Sequence, residues 1–159
     1  FDMDCSEIMN DMVAFVALNP ICPRYLDDNS FSIYYNFEPN SAVSMALHEI
    51  THFVWFYAWQ KHFQDDKSEY NFPHLKWLLS ELVVETIIRN SEIAKLSPPP
   101  QYIAYNYFYN MDIDGKPIFK TLLDMYINRK SFTEFMERAY DWIQTNEPEL
   151  RAKIAEAEK

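Results

Sequence analysis

The chain has 159 residues, of which 48% are hydrophobic and 17% aromatic, and this length is enough to bury a sizeable core in one domain. Its formal net charge of −10 at pH 7 argues against nucleic-acid binding, which needs Lys and Arg to neutralise phosphates. The longest wholly apolar runs are far shorter than the roughly 20 residues that span a bilayer. We therefore expect a single soluble domain over residues 1–159, with no membrane span and no nucleic-acid partner.

The first forty residues predict a helix followed by a strand. Residues 7–18 have apolar side chains at the spacing of one helix face, although residues 12–18 are apolar enough for a buried strand instead. Residues 31–37 are rich in β-favouring side chains and lie between turn-forming residues, which predicts a strand.

Residues 41–63 predict a long helix, capped at position 40 or 41. The segment is apolar or aromatic on every side, and a helix that is hydrophobic all round is buried. His48, Glu49 and His52 lie inside it, and such side chains are costly to bury unless something pairs with them. A bound metal ion would do so, and the alternative is a pair of structural core histidines.

The spacing of these three residues is suited to zinc chemistry. Positions i and i+4 of a helix lie on one face, roughly 6 Å apart, so His48 and His52 can bind one ion. Glu49 is rotated by about 100° from His48, close enough to reach a water on the same ion. Zinc lowers the pKa of its water to about 7, and a carboxylate can complete the deprotonation. The motif therefore predicts Zn²⁺ as cofactor and Glu49 as general base.

A catalytic zinc ion needs a third protein ligand, and the sequence narrows where it lies. A third histidine after a glycine would stand at position 58, but the chain has Trp55 and Ala58 where that pattern needs glycine and histidine. A Gly-Thr-x-x-Asp pattern fails because the only glycine is Gly115. A second predicted helix over residues 73–96 carries glutamates on one face. The candidates are Glu81 and Glu85, with Glu69 and His74 as alternatives.

These residues resemble the gluzincins, the thermolysin-like branch of zincin metallopeptidases, whose His-Glu-x-x-His helix is followed by a helix with Glu-x-x-x-Asp. The resemblance implies that His48, His52 and Glu81 bind zinc, that Glu49 is base and proton shuttle, and that Glu85 orients a ligating histidine. It also implies a mainly helical α+β fold, zincin-like, in which a small sheet accompanies the active-site helix and the glutamate-bearing helix. The chain departs from the pattern in having Glu rather than Asp at position 85 and a long segment between His52 and Glu81.

Peptidases of this kind also need a group that stabilises the oxyanion, and the strand over residues 31–37 could add hydrogen bonds to an extended substrate. An ordinary sheet strand is the alternative for that segment. Candidate substrate or oxyanion contacts are His74, Tyr102, Tyr105 and Tyr107, with core or rim aromatics as the alternative for the tyrosines.

The C-terminal part, about residues 101–159, is predicted to be helical. Asp114-Gly115 marks a turn, and Ser131 with Glu134 forms a capping box. The triple proline at 98–100 ends the second core helix. Helices are expected at about 101–111, where a strand is the alternative, and at 117–128, 132–144 and 147–159.

Cys5 and Cys22 do not have metal-binding spacing and do not make a disulfide framework. A cytoplasmic, reducing location is favoured, and a secreted protein with a processed N-terminus and one Cys5–Cys22 bridge is the alternative.

The sequence as a whole predicts a zinc metallopeptidase that acts on a peptide or protein substrate. One rival is a zincin-fold binding or regulatory module that holds metal without turnover. The other is a helical interaction domain without metal.

Overall fold

The computed structural model describes residues 1–96 and 105–159. It is mainly helical with two small sheets in those ranges, which confirms the predicted α+β class. The sequence predictions for the triple proline and for Tyr102 lie outside the described residues. The chain divides into two compact units. The first contains Phe1–Phe63 and Ile87–Tyr102, and the second contains Gln64–Thr86 and Ile103–Lys159.

The first unit contains a three-stranded sheet. Strand β1 (Val13–Ala17) runs parallel to β3 (Ser30–Tyr34), and β2 (Arg24–Tyr25) pairs with β3 antiparallel, in the order β1-β3-β2. The strand predicted at residues 31–37 is therefore the central one, with a neighbour on each side.

The helix predicted over residues 7–18 is wrong in its second half. Only α1 (Ser6–Asn10) is helical, and β1 follows it. All five residues of β1 pair in register with β3, and β-branched and aromatic side chains such as Val13, Phe15 and Val16 suit that geometry. The alternative strand was correct in type but not in burial, because β1 lies at the sheet edge and Val16 is 77% exposed.

Helix α2 (Pro39–Phe63) follows the sheet. It begins one or two residues before the predicted caps, because Pro39 occupies its first turn, where a missing N–H costs nothing. The Ala42 N–H donates to the Glu38 carbonyl at 3.0 Å. The helix contacts β3, with the Phe31 and Phe53 rings 6.2 Å apart.

The middle of α2 confirms the predicted burial. From Thr51 to Trp59 every residue except Tyr57 is buried. Trp55 and Trp59 are 0% and 1% exposed, and their ring centroids lie 5.6 Å apart. The first turns of α2 are less enclosed, so the helix is buried most deeply just beyond the histidine motif.

Helix α3 (Leu75–Arg89) is shorter than the predicted segment of residues 73–96. It is followed by a short 3₁₀ helix, Glu92–Lys95, in which the Ser91 hydroxyl accepts the Ile93 N–H at 3.3 Å. Another 3₁₀ helix, Lys67–Tyr70, precedes α3.

The second unit continues with a 3₁₀ helix, Asn106–Asn110, and a hairpin of β4 (Asp112–Ile113) and β5 (Lys116–Pro117). Asp114 and Gly115 both have positive φ, 51° and 70°, as a two-residue hairpin turn requires. The predicted turn is therefore confirmed, whereas the preference for a regular helix over residues 101–111 is not supported in the part described.

Helices α4 (Ile118–Ile127) and α5 (Phe132–Ala157) complete this unit. The Ser131 hydroxyl accepts the Glu134 N–H at 3.1 Å, which confirms the predicted N-terminal cap. The prediction of a separate helix over residues 147–159 is wrong, because α5 continues through Pro148. Its buried face packs with α4. The fully or almost fully buried side chains are Ile118, Leu122, Phe135, Met136, Ile143 and Leu150.

Both cysteines are free thiols in the structure. Partial burial raises the pKa of each thiol above its usual value. Among the helices in residues 1–96 and 105–159, none is both long and apolar enough to cross a membrane.

Candidate metal centre

The two histidines of the motif meet on α2 as their spacing predicts. Their Nε2 atoms lie 3.0 Å apart and their ring planes are inclined by 75°. His52 is 0% exposed and His48 is half-buried. Two imidazoles therefore present ring nitrogens to one small region at the edge of the buried part of the helix.

The distance between the two nitrogens fits shared coordination. Two donors on one tetrahedral zinc ion, each about 2.1 Å from it, lie about 3.4 Å apart, and the observed 3.0 Å is only a few tenths of an ångström shorter. The same distance also suits a hydrogen bond in which one ring donates and the other accepts. The distance between the two nitrogens is therefore compatible with both arrangements.

Glu81, the predicted third ligand, lies on α3. Glu81 is 8% exposed, and Leu82, the next residue on α3, is fully buried. Two imidazoles and one carboxylate are a common ligand set of catalytic zinc sites, so the predicted ligands are chemically suited to this ion.

Glu85 lies one turn beyond Glu81 on α3 and is half-buried. Ligating histidines usually donate their second N–H to a carboxylate or carbonyl, which fixes the ring. The predicted role of Glu85 as that acceptor stays a prediction.

Glu49 follows His48 in the sequence. Its side chain is buried and forms an ion pair. Its Oε2 lies 3.6 Å from Nη1 of Arg24, and the two side chains are only 6% and 13% exposed. Arg24 comes from β2, so the sheet and the motif helix meet at this carboxylate. The pair puts a fixed positive charge next to the predicted general base.

Arg24 is the residue that sequence reasoning missed. It lies 25 positions before Glu49, in a two-residue strand that no periodicity could reveal. One signal was available, because Arg24 is the single Lys or Arg among the first forty residues, against seven acidic residues. An isolated cation in an acidic segment is a candidate for a specific partner.

The predicted substrate contacts have different surroundings. The exposed His74 lines a cleft of about 410 Å³ with Lys76, Tyr140 and Arg151 among its neighbours. The Tyr105 ring packs edge-on against Trp77, with centroids 5.8 Å apart. A role in oxyanion stabilisation stays a prediction for both residues.

Tyr107 has a defined hydrogen bond, because its hydroxyl donates to Oε1 of Glu158 at 3.2 Å. Burial, and then the charge of Glu158, raise the pKa of Tyr107 above its usual value. This hydroxyl is therefore engaged with Glu158 in the structure.

The sequence matches no protein-family model, and no curated protein or solved structure is significantly similar to it. The resemblance to the gluzincins consequently rests on the motif and on the residues described above.

Proposed function

We propose that this protein is a zinc-dependent metallopeptidase with a small, zincin-like domain of the gluzincin type. One observation carries the proposal, namely the pairing of His48 and His52 on α2, whose Nε2 atoms lie 3.0 Å apart. The position of Glu49, next to the first ligand and buried with a cation beside it, supports hydrolysis as the chemistry of that group.

The roles follow from the chemistry of each side chain. His48, His52 and Glu81 would hold the ion. When bound there, Zn²⁺ supplies a Lewis acid that polarises a scissile carbonyl and acidifies water. Glu49 accepts a proton from the attacking water and then donates it to the departing amine. We assign peptide or protein substrates on the resemblance to the gluzincins, and this proton transfer suits amide hydrolysis, which needs a protonated leaving group.

The first test is the zinc content of the purified protein by elemental analysis. We expect one zinc per chain in the wild type and loss of zinc in His52→Ala and in Glu81→Ala. His62→Ala and Glu156→Ala are matched controls, because these residues are exposed and should keep the metal. Absence of zinc after reconstitution would contradict the proposal and would favour structural histidines in a helical interaction domain.

The second test separates an enzyme from a silent zinc-binding module. Glu49→Gln should retain zinc and lose about 10²- to 10⁴-fold in kcat on a quenched fluorescent peptide, the usual contribution of a general base. A zinc-loaded wild type that cleaves no peptide in a broad library would instead indicate a binding or regulatory module. Full activity of Glu49→Gln would remove the base assignment.

A further inference from the structure

We infer that Arg24 is a positioning residue that holds the Glu49 carboxylate where it can act as a base. The inference rests on the proposed peptidase function and adds to it a residue that lies outside the His-Glu-x-x-His motif. Arg24 acts through Glu49 and not on the substrate.

The backbone of Arg24 is fixed by the sheet. Arg24 pairs with Phe31 in the antiparallel register of β2 and β3. The carbonyl of the preceding Pro23 accepts the Ser32 N–H at 2.9 Å. Because β3 is also paired along its length with β1, the guanidinium extends from a rigid base.

The contact with Glu49 is enclosed. With side chains only 13% and 6% exposed, Arg24 and Glu49 are largely shielded from water, so their attraction is screened much less than at the surface. The 3.6 Å between Nη1 of Arg24 and Oε2 of Glu49 exceeds normal hydrogen-bond length, so this contact restrains the carboxylate electrostatically.

Precise placement matters for a base of this kind. A general base must lie about 2.6–3.2 Å from the atom whose proton it takes, and a misplacement of about 1 Å can cost about 100-fold in rate. Glutamate reaches its target through three rotatable bonds. A fixed cation on the neighbouring strand limits the rotamers that the carboxylate adopts.

The charge distribution supports a specific role over a general one. The first forty residues contain seven acidic residues and one basic residue, Arg24. The guanidinium of Arg24 forms an ion pair with the buried carboxylate of Glu49. A direct contact between Arg24 and a substrate carbonyl or carboxylate is the competing explanation, which the following test separates.

The test is a double-mutant cycle on the full-length, zinc-loaded protein. It combines Arg24→Met with Glu49→Gln and uses as substrate the fastest-cleaved peptide of a quenched fluorescent library. Zinc per chain, kcat and KM are measured for each variant. Arg138→Met is the matched control, because Arg138 lies 3.7 Å from Glu134 in an exposed pair.

We expect Arg24→Met to keep one zinc and to lose about 10- to 100-fold in kcat, with KM changed less than about 2-fold, as for an interaction made in the transition state. In the Glu49→Gln background the same substitution should change kcat by less than about 2-fold, because residues that act as a unit are not additive. Arg24→Lys should recover part of the loss, and Arg138→Met should behave as wild type.

Each of the following results would overturn the inference. An equal loss in both backgrounds, or a rise in KM alone, would place Arg24 on the substrate. Loss of zinc in both Arg24→Met and the milder Arg24→Lys would make it structural. Wild-type kcat in Arg24→Met would remove the inference and leave the proposed function intact, whereas zinc-loaded wild type without turnover would remove both.

Discussion

At the scale of single residues, the candidate site combines local and distant contributions. The His48–His52 pair is a property of one helix, since the i,i+4 spacing alone brings two ring nitrogens together. The carboxylate of Glu81 and the guanidinium of Arg24 come from other elements. The local part was predicted from the sequence by helical geometry, and Glu81 was predicted from its buried helical context and from a family resemblance.

Substitution by glutamine at position 85 and at position 81 should weaken zinc binding to different extents. We expect Glu85→Gln to weaken zinc affinity about 10- to 100-fold, the usual effect of losing an acceptor behind a ligating histidine. Glu81→Gln should weaken it much further because a ligand is lost. Competition with a chromophoric chelator measures both affinities. A greater loss in Glu85→Gln than in Glu81→Gln would exchange the two roles.

Tyr70 is a buried member of a partly exposed polar cluster near the start of α3. Its hydroxyl donates to Oδ1 of Asp65 at 2.8 Å. Lys76, which is 7% exposed, forms ion pairs with both Asp65 and Glu69. Burial, and then the hydrogen bond to Asp65, raise the pKa of Tyr70 well above its usual value.

This raised pKa predicts a loss of stability in alkali. The unfolded chain ionises Tyr70 near pH 10, whereas the folded chain keeps the phenol neutral. The contribution is therefore complete below pH about 10 and declines above it, at up to about 1.4 kcal/mol per pH unit for one group. Urea denaturation at several pH values should give a shallower decline for Tyr70→Phe. The exposed Tyr25→Phe is the control, and a slope equal to that of wild type in Tyr70→Phe would contradict the assignment.

At the scale of elements, the sequence predicted best where an apolar segment is long enough to be a helix and too long for a strand. Helices α2 and α3 were predicted because long apolar segments leave little choice. The helix prediction for residues 7–18 was wrong because Val13–Ala17 forms parallel pairs with a strand 17 positions further on. The local sequence does not reveal such long-range pairing. Arg24 was missed for the same reason.

The prediction for the C-terminal helix was wrong for another reason, since a break was expected between residues 144 and 147, whereas α5 is continuous there. Proline inside a helix removes one N–H and usually ends or kinks it. In α5 the cost is met by packing, with Ile143 before the proline and Leu150 after it both fully buried. Burial on both sides of the proline thus overrides its local preference.

Pro148 therefore limits the stability of α5. We expect Pro148→Ala to raise the free energy of unfolding, by up to about 3 kcal/mol, because alanine restores a backbone N–H and a better helix propensity. Urea denaturation of this variant, compared with the exposed Glu156→Ala on the same helix, checks the result. A lower stability in Pro148→Ala would show that the proline ring itself is needed for packing.

At the scale of the whole molecule, metal binding should be linked to folding. An ion that binds only the folded chain stabilises it by about 4 kcal/mol when free zinc is about 1,000 times its Kd. We expect removal of zinc by a chelator to lower the melting temperature of wild type and re-addition to restore it. His52→Ala should melt at the same temperature with and without zinc. A wild-type melting temperature that stays unchanged after zinc removal and after re-addition would contradict a stabilising contribution from the ion.

The buried residues Trp55 and Trp59 provide an intrinsic fluorescence signal on the same helix as His48 and His52. These indoles follow His52 on the same helix and are shielded from water, so their emission should be blue-shifted and insensitive to solvent quenchers. Copper(II) or cobalt(II) held by His48 and His52 would quench this tryptophan emission at short range, whereas zinc, with its filled d shell, would not. The protein thus carries its own optical reporter, and metal exchange at the helix could be followed without a label or a substrate.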